Sequence, residues 1–254
     1  MSESNEILQV IHNLRSIRNF SEKEISNETL QTIIEASVCA ANSSARQNYS
    51  IIVVNDKETL AKFFYGANKG LLFCVDYSRL EDMANHIKQP FNMNDIRSFI
   101  TGSTDTILVA QTAVIAAKSL GVDSLFTNSI HRYPMAEIYA YFNLPSKFCF
   151  PLLALCLGYA KEYPPIKKNR WKGSGLVHYE KHQRLTSEQL DDIISAYENE
   201  DNHLALRTKA QLSELGFEHY LDWYFSQWNQ LVSKEALDDI VVKLRESRFI
   251  FSRE

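Results

Sequence analysis

Apolar and polar positions fall into blocks of distinct period along the chain. Leu30, Ile33, Ile34, Ser37 and Val38 recur at helical spacing behind Ser26 and Asn27, two residues suited to capping. This spacing predicts an amphipathic helix over 27–40. A polar turn follows, then two short apolar runs, 50–54 (SIIVV, closed by Asn55 and Asp56) and 71–76 (LLFCVD). Their length and β-branched content predict buried strands with a short helix between them. Residues 103–120 carry Ala, Ile, Val and Leu on nearly every face and stop at Gly121, the pattern of a helix enclosed by the fold. A third strand (125–127), a helix carrying Met135, Ile138, Tyr139 and Phe142 that ends before Pro145, and a fourth strand (152–157) closing at Gly158 complete a layered α+β or α/β body.

Beyond Gly158 the texture changes to a basic, proline-containing connection over 163–173, and then to a helical tail of some seventy residues. The tail holds Trp223, Tyr224, Phe225 and Trp228 close together, a cluster suited to packing against the body or a partner chain, or to stacking on a ligand. No internal repeat or low-complexity segment interrupts the chain. One domain with an extension is therefore expected, the core over about 1–185 and the helical extension over about 186–254.

Composition narrows the chemistry. With 254 residues, 45% hydrophobic and 23% charged, the chain has the make-up of a soluble globular protein with a sizeable core. A net charge of -4 gives no electrostatic reason to expect nucleic acid or an anionic membrane as partner. The start shows no basic segment leading into a long apolar run, and no later stretch reaches about 18 uninterrupted apolar residues, so a cytoplasmic protein is expected. Cys39, Cys74, Cys149 and Cys156 show no CxxC spacing and three lie in apolar segments, which predicts buried thiols; with no HExxH among seven histidines, no metal site is expected. GxGxxG, GxxxxGK[ST] and GxSxG are all missing, so no Gly-rich loop cradles a dinucleotide or a triphosphate.

Polar clusters at the ends of apolar elements remain. Arg15-Ser16-Ile17-Arg18 sets two always-charged planar donors around a hydroxyl, and on a helix the two arginines would share a face; it reads as an anion clamp or as a solvated basic turn. Asn42-Ser43-Ser44-Ala45-Arg46-Gln47 precedes a strand, Asn128-Ser129 follows one, and Lys168-Asn169-Arg170 sits in the basic connection. Singly each is weak.

In this order they resemble the FMN-dependent nitroreductase family, in particular its larger type A subgroup of oxygen-insensitive NAD(P)H nitroreductases and flavin reductases. RSIRNF resembles the family's phosphate-binding motif, NSSARQNYSIIVVND its Ser-Ser-x-x-Gln turn and following strand, and DTILVAQTAVIAAKSLGVDSLF its central helix and next strand. LALCLGY with Lys168-x-Arg170 and LVHYE is similar to the closing strand and basic loop, and RESRF near the carboxyl end matches more weakly. The similarity spans about residues 7–185.

The resemblance implies an α+β fold with a mixed sheet flanked by helices, a helical C-terminal extension, and noncovalent FMN. A flavin mononucleotide has one phosphate and no pyrophosphate, so charged clamps can replace a Gly-rich loop. Arg15, Ser16 and Arg18 with Lys168 and Arg170 are the implied phosphate ligands, Arg15, Lys168 and Arg170 also being candidates for stabilising the reduced flavin. Asn42, Ser43, Ser44 and Gln47 are implied at the ribityl chain and ring edge, or serve as turn residues. Asn68 is implied as a ring-contacting amide, or is a loop amide. Phe126, Asn128 and Ser129 occupy the segment after the third strand where the subgroup commonly carries two glycines, which puts side chains or a shifted backbone there. No protein acid or base is implied, because the flavin carries the redox chemistry.

The expected activity is hydride transfer from NAD(P)H through FMN to nitro compounds, quinones or free flavin by a ping-pong mechanism, in a homodimer with flavin near the subunit interface. An FMN storage or sensor protein, and an interaction module using the aromatic tail, are the competing readings. Where the subgroup often carries adjacent arginines, this chain reads Glu198-Asn199-Glu200-Asp201-Asn202-His203, with Arg207 and Lys209 beyond, so discrimination for the NADPH phosphate is expected to be small; Arg132 is a substitute cation from the body.

Overall fold

The computed structural model describes residues 5–93, 95–230 and 232–250. The chain divides into two compact units, one formed by residues up to Tyr163 together with those from Ser233 onward, the other by residues 164–232.

The first unit begins with α1 (Glu6–His12) and α2 (Asn27–Ser37), the latter capped by the Ser26 hydroxyl accepting from the Thr29 N–H. β1 (Tyr49–Val54), α3 (Lys57–Phe63), β2 (Lys69–Asp76) and α4 (Ser78–His86) follow. Then come α5 (Ile96–Ser119), β3 (Asp123–Thr127), α6 (Met135–Tyr141) and β4 (Cys149–Gly158). The strands form one sheet in the order β1-β2-β4-β3, and every ladder among them is antiparallel. Among the described residues, what mixes the sheet is one parallel bridge, Ser16 beside Ser124.

Both faces of the sheet are covered, which is why its strands read as continuous apolar runs rather than alternating ones. Leu71 and Phe73 of β2, with Leu153, Leu155 and Leu157 of β4, face Leu30 and Ile33 of α2 and Val109 and Ala113 of α5. Leu72, Cys74, Ala154 and Cys156 point the other way, onto Leu60 and Phe63 of α3 and Ile138 of α6. Helix α5 touches all four strands, and its close approach to the end of β2 depends on Gly102, where a Cβ would sit 2.6 Å from Val75. Cys74, Cys149 and Cys156 are buried and Cys39 is exposed, all four as free thiols; a hydrogen bond to Cys74 and burial push the Cys149 thiol well above its ordinary pKa.

The expected helical tail is divided. Residues 164–232 form the second unit, with α7 (Ser187–Glu198), α8 (Lys209–Glu214) and α9 (Tyr220–Trp228). Its aromatics build a small core of their own: Tyr220 and Trp223, with Ala205 and Leu212, pack against Tyr197, Phe217, Leu221 and Tyr224, whereas Phe225 and Trp228 are exposed. The last helix, α10 (Lys234–Glu246), belongs to the first unit, where the buried Phe249 packs edge-on to Tyr77 and against Phe99.

The carboxyl-terminal segment is thus part of the main core. Phe249→Ala is expected to destabilise the protein by about 3–5 kcal/mol, as deletion of a buried aromatic does. Urea unfolding followed by circular dichroism measures this, and a loss below about 1 kcal/mol would show that the segment merely drapes the surface.

Candidate functional site

With both faces of the sheet covered, polar side chains emerge at its ends and along its β3 edge. The segment after α1 is not helical, so Arg15 and Arg18 are not paired by helical spacing as the sequence pattern allowed. It runs beside β3 with Ile17 N–H donating to Ser124 O at 2.9 Å, then crosses to the extension of β4, where Phe20 bridges Ala160. Exposure alternates along it: Ser16 and Arg18 are exposed, Ile17 is buried and Arg15 is half-buried. Ser16 and Arg18 thus face solvent together. Arg15 lies 5.8 Å over the ring of Tyr163, whose hydroxyl donates to Asp123 at 2.8 Å. Asp123 is buried and also accepts from Lys118 and from the Ala160 N–H; the bond to Asp123 raises the Tyr163 pKa.

Asn68 joins this group. Its N–H donates to Leu157 O and its side-chain amide donates to Ser21 O at 3.1 Å, which leaves Oδ1 buried without a partner. Gly158 makes the approach possible, since a Cβ there would stand 2.6 Å from the Phe20 ring and 3.2 Å from Asn68 Oδ1. A cleft of about 610 Å³ opens beside it, lined in part by Phe20, Ser21, Asn68 and Lys69 and also by the carboxylates of Glu22 and Glu24.

The turn carrying Asn42, Ser43, Ser44 and Gln47 lies at the opposite end of the sheet. Asn48 O accepts from Asp76 N–H at the far end of β2, whereas Asn68 precedes its first residue. Seven steps of about 3.3 Å separate those ends, roughly 23 Å. Ser44, Ala45 and Gln47 have φ of 53°, 54° and 49°, left-handed backbone that costs non-glycine residues about 1–2 kcal/mol each. Several side chains hold that conformation. Arg46 donates to Ser43 O and Oγ, Arg79 donates to the carbonyls of Arg46 and Gln47 at 2.8 and 2.9 Å, and Asn42 Oδ1 accepts from Gln47 N–H. Beneath them the buried Asp105 of α5 accepts from Ser43 N–H at 2.9 Å and from the Asn48 amide at 3.0 Å. Gln47 reaches the hydroxyl of Tyr49, whose pKa is raised by burial and partly lowered again by that bond.

Phe126, Asn128 and Ser129 lie at and beyond the far end of β3, with Phe126 exposed and Ser129 N–H donating to Thr127 Oγ1. Asn128 has φ -101°, so the backbone there does not need glycine. Lys168 and Arg170 lie in the second unit, where Arg170 donates to the carbonyls of Lys168 and Asn169. Arg207 of the same unit stacks on Trp223 at 5.6 Å. The sequence motifs missed Asp105, Asp123, Arg79 and Tyr163; for Asp105 one signal was present, a lone carboxylate within an otherwise apolar helix.

Among the described residues no cluster of three or more His, Cys, Asp or Glu side chains stands ready for a metal. The chemistry on offer is an exposed cation and hydroxyl, an unpaired buried acceptor and a polar turn, a set suited to an anionic, hydrogen-bonding ligand.

Comparison with known proteins agrees. The nitroreductase family profile matches residues 11–159. The chain is 31% identical to the NADPH-flavin oxidoreductase of Vibrio harveyi over 216 residues, covering 82% of this chain and 86% of that one. It is 30% identical to the FMN reductase (NAD(P)H) of Bacillus subtilis over 209 residues, covering 77% and 81%. Its fold superposes on that of NfrA2 from B. megaterium with a TM-score of 0.82 at 24% identity, covering 98% of this chain and 100% of the other. The expected fold is confirmed, and the chain belongs to the nitroreductase family.

Proposed function

We propose that this protein is an FMN-dependent oxidoreductase that takes reducing equivalents from NAD(P)H and passes them to nitro compounds, quinones or free flavin in two alternating half-reactions. The observation that carries this reading within the family is Asn68 Oδ1, a buried acceptor with no partner, on the chain segment that continues from the exposed Ser16 and Arg18 to Ser21, which the Asn68 amide contacts. The pyrimidine edge of a flavin offers an N–H for such an acceptor, and a phosphate suits a guanidinium and a hydroxyl. FMN, when bound, supplies the redox step itself.

The chain's own residues bind and orient. Arg18 and Ser16 hold the phosphate, with Arg15 behind them against Tyr163. Asn68 accepts from the ring edge, and Ser43, Ser44, Asn42 and Gln47 meet the ribityl chain and ring from the strained turn. Phe126, Asn128 and Ser129 line the ring. The acceptor is a small planar electrophile.

Two observations support a homodimer. The clamp and the turn stand at opposite ends of β2, so one flavin is served by both only if a second copy brings its turn to the first copy's clamp. Helix α5 also exposes Ile96, Ile100, Ile107 and Leu108, and α1 exposes Ile7 and Ile11, an apolar surface of the kind that subunit contacts cover.

Purified protein should be yellow with one FMN per chain, and anaerobic NADPH should bleach it; turnover with an acceptor separates an enzyme from a storage protein. Arg18→Ala should weaken FMN binding about ten- to a hundred-fold, the worth of charge-assisted hydrogen bonds, and unchanged affinity in folded protein would remove Arg18 from the site.

Light scattering should give twice the chain mass of 29.2 kDa, and a stable FMN-loaded monomer at micromolar concentration would refute the shared site.

For the nucleotide, Lys168 and Arg207 share a cleft with Glu200 and Asp201, so cations that would reward a 2′-phosphate are offset by carboxylates. The kcat/KM ratio of NADPH over NADH should stay below about tenfold, or about 1.4 kcal/mol. A ratio in the hundreds, lost in Arg207→Ala, would show that this arginine dominates its acidic neighbours.

A further inference from the structure

The buried carboxylate of Asp105 has no place in the redox chemistry, yet it lies beneath the turn that the FMN reading assigns to the flavin. It stands in the middle of α5 at 2% exposure, where a charged side chain is rare unless it is used. Both oxygens are committed to the two flanks of the turn: Oδ1 accepts from the backbone N–H of Ser43 and Oδ2 from the side-chain amide of Asn48. Between those anchor points lie the three left-handed residues Ser44, Ala45 and Gln47, none of them glycine. From the exposed side Arg79 grips the carbonyls of Arg46 and Gln47. Strained backbone of this kind persists only where the surroundings over-determine it, and it concentrates where ligands are held.

We infer that Asp105 is a positioning residue for the flavin: with Arg79 as the outer brace, it holds the turn in the left-handed shape that presents Ser44 to the cofactor. The inference rests on the FMN reading above. Its chemistry makes one specific demand, two hydrogen-bonding atoms at fixed places rather than a charge. The Asn48 Oδ1 atom is buried without a partner. If Asp105 is replaced by Asn, its Oδ1 still accepts from Ser43 N–H, and a half-turn of the Asn48 amide brings that idle Oδ1 to the new Nδ2. Asp105→Asn should therefore keep the brace, whereas Asp105→Ala removes both anchors and leaves the Ser43 N–H and the Asn48 amide unsatisfied.

The test is titration of apoprotein with FMN, read by quenching of flavin fluorescence, together with thermal melts of each apoprotein. Wild type should bind FMN, Asp105→Ala should bind at least tenfold more weakly, Asp105→Asn should stay within threefold of wild type, and Arg79→Ala should weaken binding three- to tenfold with a nearly unchanged melting temperature. If Asp105→Ala fails to fold, Asp105→Asn and Arg79→Ala decide the matter, because neither removes a buried side chain. Wild-type affinity in folded Asp105→Ala or in Arg79→Ala, or an Asp105→Asn protein that binds more than tenfold more weakly than wild type, would overturn the inference. Wild-type protein that binds no FMN would overturn the flavin reading itself, and this inference with it.

Discussion

Burial of the sheet on both faces is the constraint from which the rest of the first unit follows. β2 and β4 place side chains alternately on two cores, one closed by α2 and α5 and the other by α3, α6 and the carboxyl-terminal segment. Nothing polar can occupy those faces without losing its hydration, so ligand-binding groups are confined to the strand ends and to the edge at β3. The clamp with Asn68 takes one end and the Ser43–Ala45 turn the other. That division is why the proposed flavin site calls for a second copy, since the distance between its two halves is set by the length of β2.

Polar groups that do enter the interior are committed nearly atom by atom. Asp123 gives one oxygen to Lys118 and the other to Tyr163 and Ala160, fixing the end of β3 where the arginine segment joins the sheet. Asp105 does the same for the turn at the other end. Each carboxylate thus links helix α5 to a segment proposed to hold the flavin, and each would cost several kcal/mol if left unpaired. Among the described residues the exceptions are Asn68 Oδ1, Asn48 Oδ1 and Ser103 Oγ, and the first two stand beside the segments proposed to hold the flavin.

The strands and the central helix were legible because burial on two faces leaves a simple trace: short apolar runs at 50–54, 71–76 and 152–157, each observed with one to three more residues at one or both ends. Helix α5 begins seven residues before the apolar stretch that announced it, because Asp95 caps it and the first turns mix Ile96, Phe99 and Ile100 with Arg97, Ser98, Thr101 and Gly102. Helix α4 left no such trace, with a partly buried face and a Tyr77 cap that makes no side-chain bond. The tail's aromatics were visible as a cluster, but a cluster has no address in sequence. Trp223 and Tyr220 serve the second unit's own core, while Phe249, a single residue near the end, serves the first.

By itself the sequence determined which segments bury themselves, which residue types are available for an anionic planar ligand, and, through four motifs in order, the family. Those are properties of local period and of residue chemistry. Only the tertiary structure decided that Ser16, rather than Arg15, shares the exposed side with Arg18, because the segment lies extended against β3 where a helix would have paired the arginines. Only it separated the turn from the clamp, and brought Asp105, distant by 62 residues from Ser43, beneath that turn. Contacts of such sequence separation are made by the closing of the sheet and its helices around one core, and no local pattern encodes them.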